Sequence, residues 1–264
     1  MEKKFAPERR KIILEQLQEK HRVIIKDLSK EIKVSEATLR TDLSKMEEEG
    51  LLKRTHGGAI LVDSDSDTSF YTREGKNKQE KNIIANIAKD YIKDGQCIMF
   101  DSSSTALELV RLLNDSSLRL TVVTSGINTA LELRDHPSIT VILLGGIVKK
   151  GSFSLEGNLG VSILNKINID ILFTSANGFS FEAGLTDFSV YEVELKKAMV
   201  EASNKIIALL DHTKLNKKSI AAFAEPDKIT TIITDHPVTM EFLEKAKTYS
   251  IDVVSASKNK LDAQ

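Results

Sequence analysis

The chain has 264 residues, of which 41% are hydrophobic and 28% charged, with one cysteine, no tryptophan and a net charge of −1. This length predicts one small module joined to one α/β domain. Because the single cysteine, Cys97, excludes an internal disulfide framework and no apolar run is long enough to span a bilayer, we expect a cytoplasmic protein that does not engage a membrane.

The charges are distributed unevenly along the chain. Up to His56 there are 14 Lys and Arg against 11 Asp and Glu, whereas the remainder holds 23 against 27. A mildly basic segment in front of an acidic body indicates a polyanionic partner for the N-terminal part alone.

The N-terminal segment is predicted to begin with three helices. Apolar residues at helical spacing predict a helix from Ala6 to about His21 and a second over 24–32. After a short break, Ser35 is the expected N-cap of a third helix that Gly50 ends. The buried face of this third helix is expected to carry Leu39, Leu43 and Met46.

The end of this segment is predicted to form a hairpin. Two extended stretches flank Gly57 and Gly58 and carry basic side chains, which is typical of the wing of a winged helix-turn-helix domain. The polar face of the third helix would then enter the major groove of DNA. A plain three-helix bundle is the alternative, because it would bury the same apolar residues.

The rest of the chain is predicted to be a linker and an α/β domain. Residues 63–76 begin with the polar run DSDSDTS and are assigned to the linker, leaving 1–62 and 77–264 as the two domains. Short β-rich runs alternate with helical ones in the second domain, which predicts an open, mainly parallel sheet with helices on both faces. The expected strands are QCIMFD, LTVVTS, ITVILLG, DILFTSA, KIIALLD, TTIITD and IDVVSA.

The stretch FDSSSTALEL, residues 100–109, places an aspartate and four hydroxyls between a predicted strand and a predicted helix. It is open to three interpretations: a catalytic nucleophile, a phosphate-binding turn or a helix cap. A helix N-terminus attracts anions through its free N–H groups and its dipole, and a cap alone needs only one serine. Hydrolysis is disfavoured because no G-x-S-x-G elbow occurs and only His212 lies near a candidate loop.

The sequence gives little support for a metal site or a nucleotide-binding site. One cysteine and scattered histidines do not give the spacing of a metal site, and neither a G-x-G-x-x-G nor a G-x-x-x-x-G-K-[ST] motif is present. We therefore expect no metal and no cofactor.

The stretch VSEATLRTDLSKMEEEGLLKRTHGGA, residues 34–59, resembles the DNA-binding signature of DeoR-type transcription regulators. It departs from that signature at Thr41, where the family usually has a second arginine, and at Met46, where it has leucine. Arg40 is expected to read a guanine edge, and the basic residues that follow it to contact phosphate. The expected DNA-facing residues are Ser35, Thr38, Arg40, Thr41, Lys45, Lys53, Arg54 and His56.

Later segments resemble the sensor domain of the same regulators, so the resemblance runs from about Arg9 to Asp235. That domain is similar to ribose-phosphate isomerases and related phosphosugar-binding folds. Its D-x-G-[ST]-[ST]-T pattern appears here with Ser103 for glycine and Ala106 for threonine. The effector-binding residues that the resemblance implies are Asp101, Ser102, Ser104, Thr105, Thr124, Gly146, Glu192, Lys196, Asp211 and Lys214. Of these, Lys214 is expected to pair with phosphate, and Asp101 or Asp211 with sugar hydroxyls.

The resemblance implies a repressor of a carbohydrate-utilisation operon that binds double-stranded operator DNA as a dimer or tetramer and responds to a phosphorylated sugar. No catalytic residue is expected. Two alternatives stay open: a phosphosugar isomerase with a nucleic-acid-binding appendage, and a constitutive DNA-binding protein with a vestigial pocket.

Overall fold

The computed structural model describes residues 5–20, 22–48, 51–60, 70–148 and 153–256. The chain divides into two compact units with a boundary between Lys76 and Asn77. Within the described ranges, no helix combines the length and the apolar character needed to cross a membrane.

The N-terminal unit combines three helices with a small antiparallel sheet, as the sequence predicted. The helices are α1 (Ala6–Lys20), α2 (Ile25–Ile32) and α3 (Glu36–Glu48), and the strands are β1 (Arg22–Ile24), β2 (Lys53–Thr55) and β3 (Gly58–Ile60). The predicted hairpin is β2 and β3, and β1 joins it in the order β1-β3-β2, which the sequence did not predict. Two predicted helix ends, His21 and Gly50, lie outside the described residues.

The core of this unit comes from the apolar stripes of its helices. Leu39, Leu43 and Met46 of α3 are fully buried, as predicted, and cluster with Ile13 and Leu17 of α1. The plain bundle would bury them too, but the observed hairpin excludes it.

Two local features set the geometry of the turn before α3 and of the hairpin. Lys33 adopts a left-handed conformation, with φ 58°, which makes the tight break between α2 and α3. Ser35 then accepts a hydrogen bond from the Thr38 N–H at 3.2 Å and caps α3. In β3, a Cβ at Gly58 would lie 1.8 Å from the Val23 carbonyl oxygen, so only glycine allows β1 to pair there.

The segment predicted as a linker contains a helix, α4 (Phe70–Gly75). Residues 63–69 of that segment lie outside the described residues. The Phe70 side chain is buried, so this part of the segment is packed rather than solvated.

The C-terminal unit alternates helices and strands. Its helices are α5 (Lys78–Ala88), α6 (Ser104–Arg111), α7 (Ile127–Leu133), α8 (Val161–Leu164), α9 (Val190–Glu201) and α10 (Met240–Thr248). Its strands are β4 (Cys97–Phe100), β5 (Leu120–Thr124), β6 (Ile139–Leu143), β7 (Ile147–Val148), β8 (Leu155–Glu156), β9 (Ile169–Thr174), β10 (Gly178–Ser180), β11 (Gly184–Asp187), β12 (Ser203–Leu209), β13 (Ala221–Ala224), β14 (Thr231–Thr234) and β15 (Asp252–Ser255).

Seven of these strands form one parallel sheet in the order β15-β14-β12-β9-β4-β5-β6. They are the seven strands predicted from the sequence. Successive positions of β9 and β14 are buried, and because successive side chains point to opposite faces, both faces of the sheet are covered. All strands therefore end at one edge, where the predicted site residues follow them.

A second, antiparallel sheet was not predicted. It has the order β10-β11-β13, and a further antiparallel pair is formed by β7 and β8. These strands are only two to four residues long, so their sequences do not show the apolar run of a buried strand.

Candidate functional site

The residues predicted to face DNA lie together on α3 and the β2–β3 hairpin. Thr38 is partly buried and the other seven are exposed: Ser35, Arg40, Thr41, Lys45, Lys53, Arg54 and His56. The Arg40 Nη2 lies 3.3 Å from Glu36 Oε2, and both side chains are about half exposed. Because exposed pairs of this kind are weak, Arg40 remains available to a ligand.

Hydrogen bonds tie the hairpin to α3. The Arg54 Nη1 donates to Ser44 Oγ at 3.2 Å, and the Arg54 backbone N–H donates to Glu47 Oε1 at 2.7 Å. The two basic elements of this surface are therefore held in one arrangement. Thr41, which stands where relatives have arginine, donates to the Ala37 carbonyl at 3.1 Å.

Behind α3 lies an ion pair that sequence reasoning missed. Arg9 of α1 donates to Asp42 through Nε at 2.7 Å and through Nη2 at 3.1 Å, and Asp42 is buried. The hydrogen bond that Arg9 donates to the Asp42 carboxylate raises the pKa of Arg9. The sequence does not indicate this contact, because Asp42 and its partner Arg9 are 33 residues apart.

In the C-terminal unit, the serine turn is the segment 101–105 between β4 and α6. Ser103 caps α6 by accepting a hydrogen bond from the Ala106 N–H at 3.1 Å. The cap therefore uses the serine that replaces the glycine of the family pattern, and the other hydroxyls serve no cap. The Thr105 side chain is fully buried, and its Oγ1 has no hydrogen-bond partner among the described residues. A buried hydroxyl left in this state costs about 1–3 kcal/mol.

Asp101 is the first residue of this turn and is fully buried. Its Oδ1 accepts from the Ser103 N–H at 3.0 Å, and its Oδ2 accepts from the Ser175 N–H at 2.9 Å and from Thr174 Oγ1 at 2.7 Å. Burial raises the pKa of Asp101, but Lys196 and these hydrogen bonds outweigh burial and hold the pKa below its ordinary value. The arrangement favours a positioning role for Asp101 over the sugar contact that the resemblance implied.

Lys196 of α9 connects the turn to the neighbouring segments. Its buried Nζ lies 2.8 Å from Asp187 Oδ2, 3.2 Å from Asp101 Oδ2 and 3.5 Å from Glu192 Oε1. Burial lowers the pKa of Lys196, but the three carboxylates outweigh it and hold the pKa above its ordinary value. One ammonium group thus contacts carboxylates from three segments of the chain, and Glu192 in turn accepts from Ser102 Oγ at 3.4 Å.

The loop after β5, the neighbour of β4, also lies near the serine turn, and the loop after β12 contacts the loop after β9. Thr124 Oγ1 accepts from the Gly126 N–H at 2.9 Å, and a Cβ at Gly126 would lie 3.2 Å from the Ser102 Cα. Beyond β12, the Lys214 Nζ donates to Ser175 Oγ at 3.0 Å. The structure therefore brings together the loops after β4, β5, β9 and β12.

Two predicted effector residues have other surroundings. The Asp211 carboxylate accepts from the Thr213 N–H at 3.0 Å and from Asn77 Nδ2 at 3.2 Å, so it fixes the start of its own turn. A Cβ at Gly146 would lie 2.9 Å from the Glu156 carbonyl oxygen, so close packing of β7 against β8 accounts for glycine there.

A second polar cluster at this edge was not predicted. His212, Asp235 and His236 follow β12 and β14 and lie close enough for their side chains to meet. His212 lies far from Asp235 and His236 in the sequence, and the pairing of β12 with β14 brings the three side chains together.

Comparison with known proteins extends the description of both units. A family model described as a DeoR-like helix-turn-helix domain matches residues 9–65, and a model described as a DeoR C terminal sensor domain matches residues 76–236.

Whole-length relatives are found in several organisms. The HTH-type transcriptional regulator GolR of Listeria innocua is 44% identical, with 91% of this chain and 95% of the relative covered. The HTH-type transcriptional repressor GlcR of Bacillus subtilis is 33% identical over 88% of this chain and 89% of its own. Among solved structures, ribose 5-phosphate isomerase A from Methanocaldococcus jannaschii is 18% identical, covers 53% of this chain and 55% of its own, and has a TM-score of 0.41.

Proposed function

The chain belongs to the DeoR family of transcription regulators, and we propose that a phosphorylated sugar bound at the serine turn controls its binding to operator DNA. In this proposal, residues 1–62 bind DNA, 63–76 link the two parts and 77–264 bind the effector. The protein acts as a repressor of an operon for carbohydrate use. Repression of an operon is supported by relatives that are named as repressors. One of them is the putative aga operon transcriptional repressor of Escherichia coli O157:H7.

The observation that carries the effector proposal is the unpartnered Thr105 hydroxyl at the start of α6. A phosphate oxygen accepts a hydrogen bond from this hydroxyl and lies at the positive end of the helix dipole. Ser102 and Ser104 supply further hydroxyls beside it, and Lys214 supplies a positive charge. Because these serines are buried, the effector reaches them only when the segments around the turn move apart.

Such a movement is what a regulator requires. Shifting a two-state equilibrium from 99:1 to 1:99 takes about 5.5 kcal/mol of differential binding. Several charge-assisted hydrogen bonds to one phosphate, each worth about 1.5–3 kcal/mol, reach that value together, whereas one serine does not.

On the DNA side, we propose that Arg40 reads base edges and that Lys45, Lys53 and Arg54 contact phosphate. Arg40 stands on the exposed face of α3 near its N-terminal end, the part of a recognition helix that reaches the bases. The lysines and Arg54 flank it on α3 and the hairpin, where they supply affinity and salt dependence.

The isomerase alternative needs a carboxylate that can take a proton from the substrate. Both oxygens of Asp101 already accept hydrogen bonds from buried groups, and its second oxygen also lies against Lys196, so the carboxylate is not placed to take a proton from a substrate. We therefore propose that the protein is a sensor without catalytic residues. Isomerisation of a sugar phosphate that is abolished in Asp101→Asn would overturn this.

We propose that the functional form is a homo-oligomer, because helix-turn-helix proteins bind paired half-sites. Support comes from large apolar side chains that are exposed at the β6 end of the parallel sheet. They are Leu131 on α7, Leu143 at the end of β6, and Ile147 and Val148 on β7. A second copy of the chain would cover them.

The experiment that tests the effector site is a thermal-shift screen of sugar phosphates against their unphosphorylated parents. A ligand that binds only the folded state raises the Tm with its concentration. We expect at least one sugar phosphate to raise the Tm and its parent sugar to leave it unchanged. If no sugar phosphate raises the Tm, the pocket is vestigial and the protein binds DNA constitutively.

A further inference from the structure

Three side chains beyond the serine turn form a separate cluster at the same edge of the sheet. The Nδ1 atoms of His212 and His236 lie 2.7 Å and 2.5 Å from the same oxygen, Oδ2 of Asp235. All three potential ligand atoms lie within 4.8 Å of one another. Asp235 is fully buried, whereas the side chains of His212 and His236 are 45% and 52% exposed.

The backbone fixes this arrangement before any ligand binds. β12 and β14 are parallel neighbours, so the residues that follow them meet at the edge of the sheet. The His212 backbone N–H donates to Asp235 Oδ1 at 2.7 Å, which orients the carboxylate so that Oδ2 faces both imidazoles. An outer contact of this kind on a carboxylate is typical of metal centres.

We propose that His212, Asp235 and His236 form a binding site for a divalent transition-metal ion of the zinc class. Two imidazole nitrogens and one carboxylate oxygen are a ligand set that zinc accepts, with bond lengths of about 2.0–2.2 Å. The ion takes the place of the direct contacts that the two imidazoles make with Asp235 Oδ2. Three protein ligands leave a fourth position, on the exposed side of the histidines, for water or an effector oxygen.

The site is distinct from the serine turn. Asp211 precedes His212 directly, and its carboxylate accepts hydrogen bonds from Asn77 and Thr213. A bound ion would fasten the ends of β12 and β14 together and so stabilise the folded protein.

The test is zinc binding to the untagged, full-length protein after treatment with a chelator, followed by isothermal titration calorimetry at pH 7.5. We expect one zinc ion per chain and a Tm that rises with zinc concentration. His236→Gln should weaken zinc binding by at least about 100-fold, more than the 10–100-fold typical of losing an outer contact. Because His236 is half exposed, this variant should fold normally, which its circular dichroism spectrum and Tm without metal will show.

The matched control is His56→Gln, which removes an exposed histidine from the other unit and should leave zinc binding unchanged. The same titration of His212→Gln should reproduce the loss seen with His236→Gln. The proposal is overturned if the wild-type protein binds no zinc, which would make the cluster a hydrogen-bonded one only. It is also overturned if wild type and His236→Gln bind zinc equally.

Discussion

Lys196 and Asp101 are in contact below the serine turn, with the Nζ 3.2 Å from Oδ2 and both side chains buried. The same ammonium group also contacts Asp187 and Glu192, so one cation joins three carboxylates at the candidate effector site. Asp101 in turn holds the backbone of this region through the Ser103 and Ser175 N–H groups. The shape of the serine turn thus depends on Lys196, which lies 95 positions after Asp101 in the sequence.

Replacing Lys196 by methionine should strongly destabilise the C-terminal unit. Removing one partner of a buried ion pair leaves unpaired charges and typically costs about 3–5 kcal/mol. Urea unfolding measures the change in the free energy of unfolding. The control is Lys197→Met at the next position, where the side chain is half exposed and pairs with Glu194, and where we expect a change below about 1 kcal/mol. Equal losses in the two variants would show that the buried pair has no special role.

The pKa of Asp101 predicts a loss of stability in acid. The pKa of Asp101 is lowered in the folded protein. In acid, the unfolded chain, with the ordinary pKa of 3.8, therefore binds a proton at Asp101 more readily than the folded protein does. The resulting stabilisation is fully present above pH 3.8 and is lost as the pH falls through the folded pKa. Urea unfolding at pH 5, 4 and 3 should show a steeper fall below pH 4, with a smaller fall in Asp101→Asn. A free energy of unfolding that rises from pH 4 to 3 would contradict this sign.

Arg40 and Lys53 should differ in their effects on DNA binding. Arg40→Ala removes a base-reading group and should cost about 1–3 kcal/mol on the operator but much less on random DNA. Lys53→Ala should weaken binding to both DNAs by similar factors and reduce the slope of log K against log salt by about 1. Competition binding at two salt concentrations separates these patterns. The assignment fails if both variants lose the same affinity for both DNAs.

The exposed apolar residues on β7 should govern self-association. Ile147→Asp places a charge on a side chain that is 61% exposed, so it should leave the fold intact and lower the apparent mass of the oligomer in light scattering. Met240→Asp on α10 is the control, because Met240 is also exposed. Its helix contacts β15, which is the outermost strand on the side of the sheet away from β6. An unchanged mass for Ile147→Asp would place the interface elsewhere.

The sequence predicted the regular parts of the fold because their patterns are local. Each of the seven parallel strands is a short apolar run, and the face of α3 follows from the spacing of Leu39, Leu43 and Met46. The Ser35 cap was predictable for the same reason, because donor and acceptor are three residues apart. Among the candidate site residues, those expected to face DNA could be identified as one group because they lie on or next to one helix and one hairpin.

Contacts between distant segments could not be predicted in this way. The Arg9–Asp42 pair, the Lys196 cluster and the histidines around Asp235 each depend on how strands and helices pack, which no spacing in the sequence encodes. Even within the serine turn, only the structure shows that Ser103 is the cap and that Thr105 has no partner. The chemistry of FDSSST was readable, whereas the division of roles among its hydroxyls was not.

The Thr105 hydroxyl offers a variant that separates ligand binding from folding. Thr105→Val removes an unpaired buried hydroxyl and keeps the volume, so the free energy of unfolding should stay the same or rise. The same change should weaken effector binding by roughly 10-fold, the equivalent of one hydrogen bond of about 1.4 kcal/mol. Thr121→Val on β5 is the matched control and should leave effector binding unchanged.

We propose that a sugar phosphate at the serine turn controls DNA binding. Fluorescence anisotropy of a labelled operator duplex tests this, because it measures how much of the DNA is bound by the protein. The duplex is titrated with wild-type protein, Thr105→Val and Thr121→Val in the presence of increasing sugar phosphate or its unphosphorylated parent. We expect the sugar phosphate alone to dissociate wild-type and Thr121→Val complexes, and Thr105→Val to need roughly 10-fold more. If no sugar phosphate dissociates the wild-type complex, or if the Thr105→Val complex dissociates at the same concentration as wild type, the serine turn does not control DNA binding.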